Sequence, residues 1–524
     1  MPVPLRAGAM STQPLDPDLQ MPLHRQLRAW LSEYIVRNKL SDGDLLPSSR
    51  SLAAELGINR LTALKALQAM RRARLVGVDP GRGFVVIGST GHEDAPYRNE
   101  LQGTAISYRP HPEQAYSETV RSARESMISF AAGYPDPRQL PLKHIRRTMA
   151  RWFDRFDGGD LIYHAPEGHP RLRAQLWRHL EARGIHPAPE RDLLVTNGAQ
   201  HAIDLFARAF PKKNPTVAME LPAFYGALAA FRVNACTVVP VFQDDAGLSG
   251  SHLAATLARQ HVDLLYTNPT YNNPTGNSLT RQRRETVVKL AKQHDILVLE
   301  DDTYADLGFT RARMPSLLAL DRDNRVCHIR SFSKSFMPGL RMGMIVGPRS
   351  IINRLRDMHG VNDMCSSTLS QMVLCEALSS GIFERHVKTM REIYAVRCRA
   401  MAEALAGEMP AGCRFRAPRG GFFIWVQLPD RVSCSELQRR CNSFGVDIAL
   451  GPDFFGEGYG GNYIRLNFTL VDEAGIRRGV KIIASETRAI MGASPPNGAT
   501  RLQRSQRHDA TAADDSGTAS RPVI

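Results

Sequence analysis

The chain has 524 residues, 43% of them hydrophobic, which is enough for two or three domains with large cores. Its formal net charge of +15 favours nucleic acid or acidic small molecules as partners without identifying either. The eight cysteines form no CxxC pair and no metal-type group with histidine, so we expect reduced thiols, a cytoplasmic protein and no metal. No apolar run approaches the ~18 residues of a membrane span and no secretory signal is recognisable, so we expect no membrane partner.

Changes in composition and periodicity predict five segments. They are a disordered leader (1–20), a small helical unit (21–88), a linker (89–127), an α/β domain (128–492) and a disordered polar tail (493–524). In the α/β domain, short apolar runs alternate with longer helical patterns, which is typical of a mostly parallel sheet. The predicted strands include residues 193–196, 216–219, 264–267, 296–299 and 326–329, and one predicted helix covers residues 279–294.

The small helical unit has the pattern of a winged helix-turn-helix. A helix over residues 50–56, with Ser48 or Ser49 as its N-cap, ends at Gly57, and Asn59 caps the next helix. A hairpin over residues 76–87 then forms the wing. A three-helix packing module with a solvated basic face would share this pattern. If the unit binds DNA, the expected contact residues lie at the turn, the second helix and the wing tip: Ser48, Arg50, Asn59, Arg60, Thr62, Lys65 and Arg82.

The stretch of residues 46–62, LPSSRSLAAELGINRLT, resembles the winged-helix head of GntR-type regulators. In that family Leu-Pro-Ser-Ser-Arg and Leu-Ala-x-x-Leu-Gly recur at this spacing. The resemblance implies double-stranded operator DNA as a partner. Leu61 departs from the family pattern, which commonly has a small polar residue there, and this affects base contact rather than fold.

A second set of motifs indicates pyridoxal 5'-phosphate (PLP) as a cofactor. Lys334 follows Ser331 and Ser333 closely, and Arg341 comes seven residues later. A lysine amine forms a Schiff base with an aldehyde, while hydroxyls and a guanidinium hold a phosphate. One short segment therefore offers both a covalent attachment point and a phosphate site.

Further candidate cofactor residues follow predicted strands. Asp301 would lie at the carboxyl end of a strand and keep a pyridine nitrogen protonated, although a surface acidic turn is the alternative. Tyr304 and Asn273 are candidates for hydrogen bonds to the phenolic oxygen of the cofactor. Gly198 joins a strand to a helix predicted to begin near His201, where two backbone N–H groups would meet a phosphate: those of Ala199 and Gln200.

Aromatic and basic residues complete the candidate site. Phe224 would stack on the pyridine ring, with Tyr225 as a rival and core packing as the alternative for both. Arg465, in an alternating strand, would clamp a carboxylate, unless it forms an edge salt bridge.

In this order the motifs resemble the fold-type I, class I aminotransferases over residues 128–490. That resemblance implies an α/β PLP-dependent transferase fold with a smaller C-terminal α/β subdomain. It implies Lys334 as the Schiff-base lysine and three side chains on the phosphate: Ser331, Ser333 and Arg341. It also implies a homodimer in which Tyr163 reaches the phosphate of the other subunit, and carboxylate binding by Arg465 with Gly133.

A GntR-type head joined to a class I aminotransferase-like body is similar to the MocR subfamily of bacterial transcription regulators. The similarity implies a PLP-binding, DNA-binding regulator that senses an amino-acid or amine effector through an external aldimine at the Lys334 site. The alternative is an active class I aminotransferase with an accessory DNA-binding head, because the sequence retains the side chains that catalysis requires: Lys334, Asp301 and Arg465. A weaker third reading is a sensor of PLP itself.

Overall fold

The computed structural model describes most of the two predicted domains. The described residues are 44–72, 76–79, 83–86, 127–154, 158–159, 162–210, 212, 214–310, 314–455 and 462–492, with single positions between 23 and 34. The chain divides into two compact units, one of Met1–Tyr108 with Pro495–Ile524 and one of Arg109–Ser494. The predicted leader and tail lie outside the described residues, as does the predicted linker except for its last residue.

The first unit contains two helices and a hairpin, α1 (Ser49–Leu56), α2 (Arg60–Arg72), β1 (Val76–Asp79) and β2 (Gly83–Val86). Ser48 caps α1, because its Oγ accepts the Ser51 N–H at 3.1 Å. Gly57 ends α1 at a φ of +64°, and the Asn59 side chain accepts the Leu61 N–H at 2.8 Å where α2 begins. The core joins the helices to the hairpin through Leu27, Leu31, Leu52, Leu67, Met70, Val76 and Val86.

The second unit is built on an eight-stranded sheet in the order β4-β11-β10-β9-β8-β5-β6-β7. All pairings from β10 through β6 are parallel, whereas β11 pairs antiparallel with both β10 and β4, and β7 pairs antiparallel with β6. The predicted mostly parallel sheet is therefore confirmed. Its strands are β4 (Arg191–Thr196), β5 (Thr216–Leu221), β6 (Thr237–Asp244), β7 (Gly247–Leu248), β8 (Leu264–Thr267), β9 (Leu297–Asp301), β10 (Val326–Ser331) and β11 (Gly343–Pro348).

Helices cover both faces of this sheet, because alternate strand residues point to opposite sides. Val195 joins one apolar cluster and its neighbour Leu194 joins the other. The helices are α3 (Leu142–Phe153), α4 (Pro170–Glu181), α5 (Ala199–Ala209), α6 (Tyr225–Val233), α7 (Gly250–Arg259), α8 (Arg281–Gln293), α9 (Leu317–Leu320), α10 (Arg349–Asp363) and α11 (Thr368–Ser379). Helix α5 begins two residues before the predicted position near His201.

A smaller α/β part follows in the chain, as the sequence predicts. Its antiparallel sheet has the order β12-β13-β16-β15, and a short parallel pair joins β14 to β3 (Ile128–Ser129). Its remaining elements are α12 (Ile382–Glu408), β12 (Arg414–Phe415), β13 (Phe423–Gln427), α13 (Cys434–Ser443), β14 (Val446–Asp447), β15 (Ala449–Leu450), α14 (Pro452–Phe455), β16 (Tyr463–Asn467) and α15 (Glu473–Gly492). In the described part of the chain, no helix is both long and apolar enough to span a bilayer.

Two glycines with positive φ allow a test of packing in this fold. Gly168 has a φ of +107°, and a Cβ there would lie 2.3 Å from a methyl carbon of Val195 in β4. Gly184 has a φ of +77° and open space around it. We expect Gly184→Ala to cost about 1–2 kcal/mol through backbone strain alone. Gly168→Ala should cost at least ~1–3 kcal/mol more, because the β4 packing must also shift.

Chemical denaturation of the two variants measures this difference. Equal losses of unfolding free energy in Gly168→Ala and Gly184→Ala would contradict the packing argument.

Candidate functional site

A cleft gathers most of the predicted site residues at the carboxyl ends of the central strands. It is lined by Ala132, Gly133, Tyr134, Ala199, Gln200, Phe224, Tyr225, Asn268, Asn273, Asp301, Thr303, Tyr304, Ser331, Ser333, Lys334, Arg341 and Arg465. In open parallel sheets this edge is where ligands bind, because the loops there diverge. The sequence motifs, which are spread over more than 300 residues, therefore meet in one place.

Lys334 lies in the turn that follows β10. Its Nζ donates a hydrogen bond to the Gly133 carbonyl oxygen at 2.6 Å. The Ser331 Oγ accepts the Ser333 N–H at 3.2 Å, and Arg341 donates to the Ser333 Oγ at 3.1 Å. The amine, the hydroxyls and the guanidinium therefore share one wall of the cleft.

Gly198 brings the backbone of the β4–α5 junction close to that wall. Its φ is +89°, and a Cβ at this position would lie 2.9 Å from the Arg341 Nη2. Arg341 also donates to the Asn197 carbonyl oxygen at 3.3 Å. Helix α5 begins at the next residue, so its first N–H groups and the guanidinium converge. This junction fits a phosphate group, which needs several donors and positive potential.

The β4–α5 junction is hydrogen-bonded to His201 and Asp363, and the His359 ring lies 5.0 Å from the His201 ring. The Asn197 N–H donates to the His201 Nδ1 at 3.0 Å, and the Asn197 side chain donates to Asp363 at 3.0 Å. Burial, followed by the neighbouring His359, lowers the pKa of His201 to about 4, so the ring is neutral. Because Nδ1 accepts, the ring proton belongs on Nε2, which lies 3.2 Å from Asp363. These residues were missed by the sequence analysis.

Asp301 is the last residue of β9 and is only 4% exposed. The Tyr266 hydroxyl donates to one carboxylate oxygen at 2.9 Å, and the Thr303 hydroxyl donates to the other at 2.6 Å. Burial raises the pKa of Asp301, and these donors oppose the shift. The arrangement fits a carboxylate that receives a further hydrogen bond from a protonated ring nitrogen.

Buried ion pairs surround Asp301 on the adjacent strands. Glu300 contacts the His328 ring at 2.8 Å, and Arg330 contacts Asp302 at 3.3 Å and also Asp306. Burial acts to raise the pKa of Glu300, but the charge and hydrogen bond of His328 outweigh it and lower the pKa. A His and an Arg inside the apolar run 326–331 were the sequence signal for this network, and the sequence analysis did not use it.

Arg465, in β16, forms the opposite side of the cleft and is only 1% exposed. It donates to the Asn273 side-chain oxygen at 3.0 Å and to the Ala131 carbonyl oxygen. Its guanidinium carbon lies 4.2 Å and 4.7 Å from the ring centres of Phe423 and Phe454. The guanidinium is therefore held in a fixed orientation at the cleft, on a strand that lies between β13 and β15 and not at the edge of its sheet.

The aromatic residues of the site divide into buried and accessible groups. Tyr304 is 4% exposed, and burial is the main reason that its pKa is raised; Asn273 is its hydrogen-bond partner. The Phe224 and Tyr225 rings are 5.0 Å apart, and both line the cleft. Tyr163 is 77% exposed and does not line this cleft.

The predicted DNA-contacting residues lie in the first unit. Ser48, Arg50, Asn59, Arg60 and Lys65 are exposed, and Thr62 is half-buried. Arg82 lies outside the described residues. The exposed set surrounds the α1–α2 turn and the start of α2, which is the part of a helix-turn-helix that meets base edges.

A winged helix-turn-helix unit and an aminotransferase-type α/β unit with a lysine-centred cleft define the class of this protein. Residues 125–483 match the family model "Aminotransferase class I and II", and residues 23–86 match "Bacterial regulatory proteins, gntR family". The chain therefore belongs to the class I and II aminotransferase family and carries a gntR-family regulatory domain at its N-terminal side.

Relatives of both kinds resemble the chain. An uncharacterized HTH-type transcriptional regulator of Bacillus subtilis, YdfD, is 28% identical over 88% of this chain and 95% of its own length. The 2-aminoadipate transaminase of Thermus thermophilus is 32% identical over 70% of this chain and 92% of its own. The solved Pyrococcus horikoshii kynurenine aminotransferase, in complex with PMP, superposes with a TM-score of 0.71 at 31% identity. That match covers 75% of this chain and 98% of the other.

Glu220, at the end of β5, provides a pH test of the site's buried framework. Its carboxylate accepts the Thr267 hydroxyl at 2.6 Å and the Asn268 N–H at 2.9 Å, and burial raises its pKa from 4.5 to about 7. A raised carboxyl pKa means that ionisation opposes folding. The resulting loss of stability is absent below pH ~4.5 and reaches on the order of 3 kcal/mol above pH ~7.

Replacing Glu220 by Gln removes this ionisation and leaves an oxygen that accepts both hydrogen bonds. We expect the stability of Glu220→Gln relative to the wild type to be greater at pH 8 than at pH 5. Thermal denaturation at both pH values measures the difference, with the exposed Glu181→Gln as the control. A stability difference that is independent of pH would contradict the assignment.

Proposed function

We propose that this chain is a PLP-binding transcriptional regulator whose aminotransferase-like body detects an amino-acid or amine effector. The observation that carries the proposal is the presence of a gntR-family domain and a complete cofactor-type cleft in the same chain. A metabolic transaminase needs the cleft but has no need of a DNA-binding head. A regulator needs both.

The cofactor would supply an aldehyde for covalent attachment and an electron-accepting ring. Lys334 would attach it, and Asp301, held by its Tyr266 and Thr303 donors, would keep the ring nitrogen protonated. The phosphate would lie at the start of α5, against Ser331, Ser333, Arg341 and the N–H groups of Ala199 and Gln200. Phe224 would stack on the ring, and Asn273 with Tyr304 would hold the phenolic oxygen.

The effector would enter between the cofactor and Arg465. The Arg465 guanidinium lines the cleft, and its planar N–H groups suit a bidentate, charge-assisted pair with a ligand carboxylate. Gly133, whose carbonyl oxygen accepts a hydrogen bond from the Lys334 Nζ at 2.6 Å, also lines the cleft and would contact the effector. These features favour an α-amino acid over a simple amine.

A homodimer is supported by an apolar surface around Tyr163. Ile162, Met364 and Leu369 are 64%, 57% and 46% exposed, and the Thr368 hydroxyl donates to the Ile162 carbonyl oxygen at 3.3 Å. Exposed apolar side chains grouped in this way favour burial against another surface. In such a dimer Tyr163 would contact the phosphate bound by the partner subunit.

The DNA-binding head would read an operator in the bacterial cytoplasm through Arg50, Asn59, Arg60, Thr62 and Lys65, with Ser48 and Arg82 nearby. For regulation, the effector must favour one arrangement of the dimer by a few kcal/mol, because a ligand shifts an equilibrium only by its differential affinity.

An active aminotransferase remains the second candidate. It is favoured by the presence in the cleft of every group that the chemistry requires, including a lysine positioned as a proton carrier.

The central test is operator retention by the purified protein, with and without PLP and a panel of amino acids. We expect Lys334→Ala to lose the visible absorbance band of the lysine-bound cofactor and the response to amino acids, but to keep basal DNA binding. Arg50→Ala should keep the band and weaken DNA binding by about 1–3 kcal/mol, roughly five- to two-hundredfold.

Two outcomes would reject the proposal that the protein is a transcriptional regulator. One is that no genomic fragment is retained above non-specific levels at moderate salt. The other is that retention does not respond to any amino compound while the protein sustains turnover of an amino donor with a keto acid. The second outcome would establish the enzyme instead.

Arg465 allows a test of the effector class. Arg465→Ala should weaken binding of an α-amino acid by about 1.5–3 kcal/mol, roughly ten- to two-hundredfold, because a charge-assisted pair is lost. The matching amine without a carboxylate should bind equally well to the variant and the wild type. Titration of the cofactor absorbance measures both, with the exposed Arg414→Ala as a control. Equal losses for the acid and the amine would refute the carboxylate clamp.

A further inference from the structure

Helix α3 carries an unusual surface on the aminotransferase-like body. Its buried face, formed by Ile145, Thr148, Met149 and Trp152, packs into the core against α11. Its exposed residues include a group here called the α3 basic face: Lys143, His144, Arg146, Arg147 and Arg151. Leu142 and Phe153, at the two ends of the helix, are exposed as well. The helix itself contains no acidic residue.

These charges form no ion pair within the described part of the chain, whereas α8 and α13 carry several pairs. On α8, Arg281 contacts Glu285 at 2.9 Å and Lys292 contacts Asp323 at 2.8 Å. On α13, Arg440 contacts Glu436 at 2.7 Å. No ion pair joins the α3 basic face to any described carboxylate. On those two helices part of the positive charge is neutralised locally, which is not so on α3.

The charges of α3 are also arranged against the stability of the helix. Lys143 and Arg147, and then Arg147 and Arg151, are like-charge pairs at the i,i+4 spacing, which is repulsive. Lys143 lies in the first turn, where the helix dipole disfavours positive charge. Neither repulsion serves the fold, so the arrangement points to an anionic partner outside the chain.

Double-stranded DNA matches this face in charge and spacing. From Lys143 to Arg151 the helix rises about 12 Å, and a duplex presents one phosphate charge per ~1.7 Å of its axis. The head of residues 21–90 holds eleven basic and five acidic residues, so it accounts for +6 of the net +15. The larger part of the positive excess therefore lies outside the head.

We propose that the α3 basic face is a second, sequence-independent DNA-contacting surface, which binds phosphates of the duplex beyond the operator. This inference rests on the proposed function, because it requires that the head bring the protein to DNA. Such contacts would add affinity and salt dependence without adding base specificity.

The test compares two triple variants of the full-length protein. One neutralises the face (Arg146→Gln, Arg147→Gln and Arg151→Gln). The other removes the same charge from exposed positions of α8 (Arg281→Gln, Lys289→Gln and Lys292→Gln). Binding is measured over a range of salt concentrations to a long duplex that extends well beyond the operator and to a short one that ends at it.

For the α3 variant, we expect the slope of log K against log salt on the long duplex to fall by about 2–3, since each lost phosphate contact removes ~0.9. Affinity for that duplex should drop roughly tenfold or more at moderate salt, while affinity for the short duplex stays unchanged. The α8 variant should behave like the wild type on both. The cofactor absorbance band and the denaturation midpoint verify that both variants are folded.

Three outcomes would overturn the inference. Equal slopes for the α3 variant and the wild type would show that the face does not meet DNA. A changed oligomeric state in sedimentation would assign the face to contact between copies of the chain. Loss of binding to phosphatidylserine vesicles with an unchanged DNA slope would assign it to a lipid surface. Failure of the wild type to retain any duplex would instead reject the proposed function, and this inference with it.

Discussion

The cleft depends on how one carboxylate, that of Asp301, is hydrogen-bonded while it is almost completely buried. Its two oxygens each receive a hydrogen bond, from Tyr266 and Thr303, and these donors oppose the rise in pKa that burial causes. Tyr266 comes from β8, so the parallel pairing of β8 with β9 brings its hydroxyl to Asp301, whereas Thr303 lies in the turn two residues after Asp301. Without the Tyr266 donor, burial would raise the pKa of Asp301 further.

Sheet topology also explains how the β4–α5 junction, which fits a phosphate group, forms. Strand β11 lies between β4 and β10, and Gly343 at its start pairs with Thr196 at the end of β4. Arg341 precedes β11 and Gly198 follows β4, so the antiparallel pairing places the guanidinium against the glycine. A Cβ at Gly198 would lie 2.9 Å from the Arg341 Nη2, so a side chain there would displace the guanidinium. The φ of +89° also favours glycine at this position.

Much of the fold and the cleft could be predicted from local sequence. Strand β8 was predicted with its observed bounds, and the caps at Ser48 and Asn59 follow from residue type and position. Asp301 was expected just beyond a strand and is instead the last residue of β9, and helix α5 begins earlier than expected. Such end positions depend on which neighbouring strand supplies the hydrogen bonds, and local sequence does not contain that information.

The amino-acid sequence by itself determined the chemistry available to this protein: a lysine among hydroxyls, an arginine at a fixed offset, and a basic head before an α/β body. Only the tertiary structure decided which polar groups became buried partners and which stayed exposed. Tyr266 is an ordinary member of an apolar run and His328 is a polar residue inside another, but the sequence does not show that Tyr266 donates to Asp301 or that His328 contacts Glu300. The physical reason is that burial and pairing depend on strand order and on the helices covering each face, which are set by contacts between distant segments.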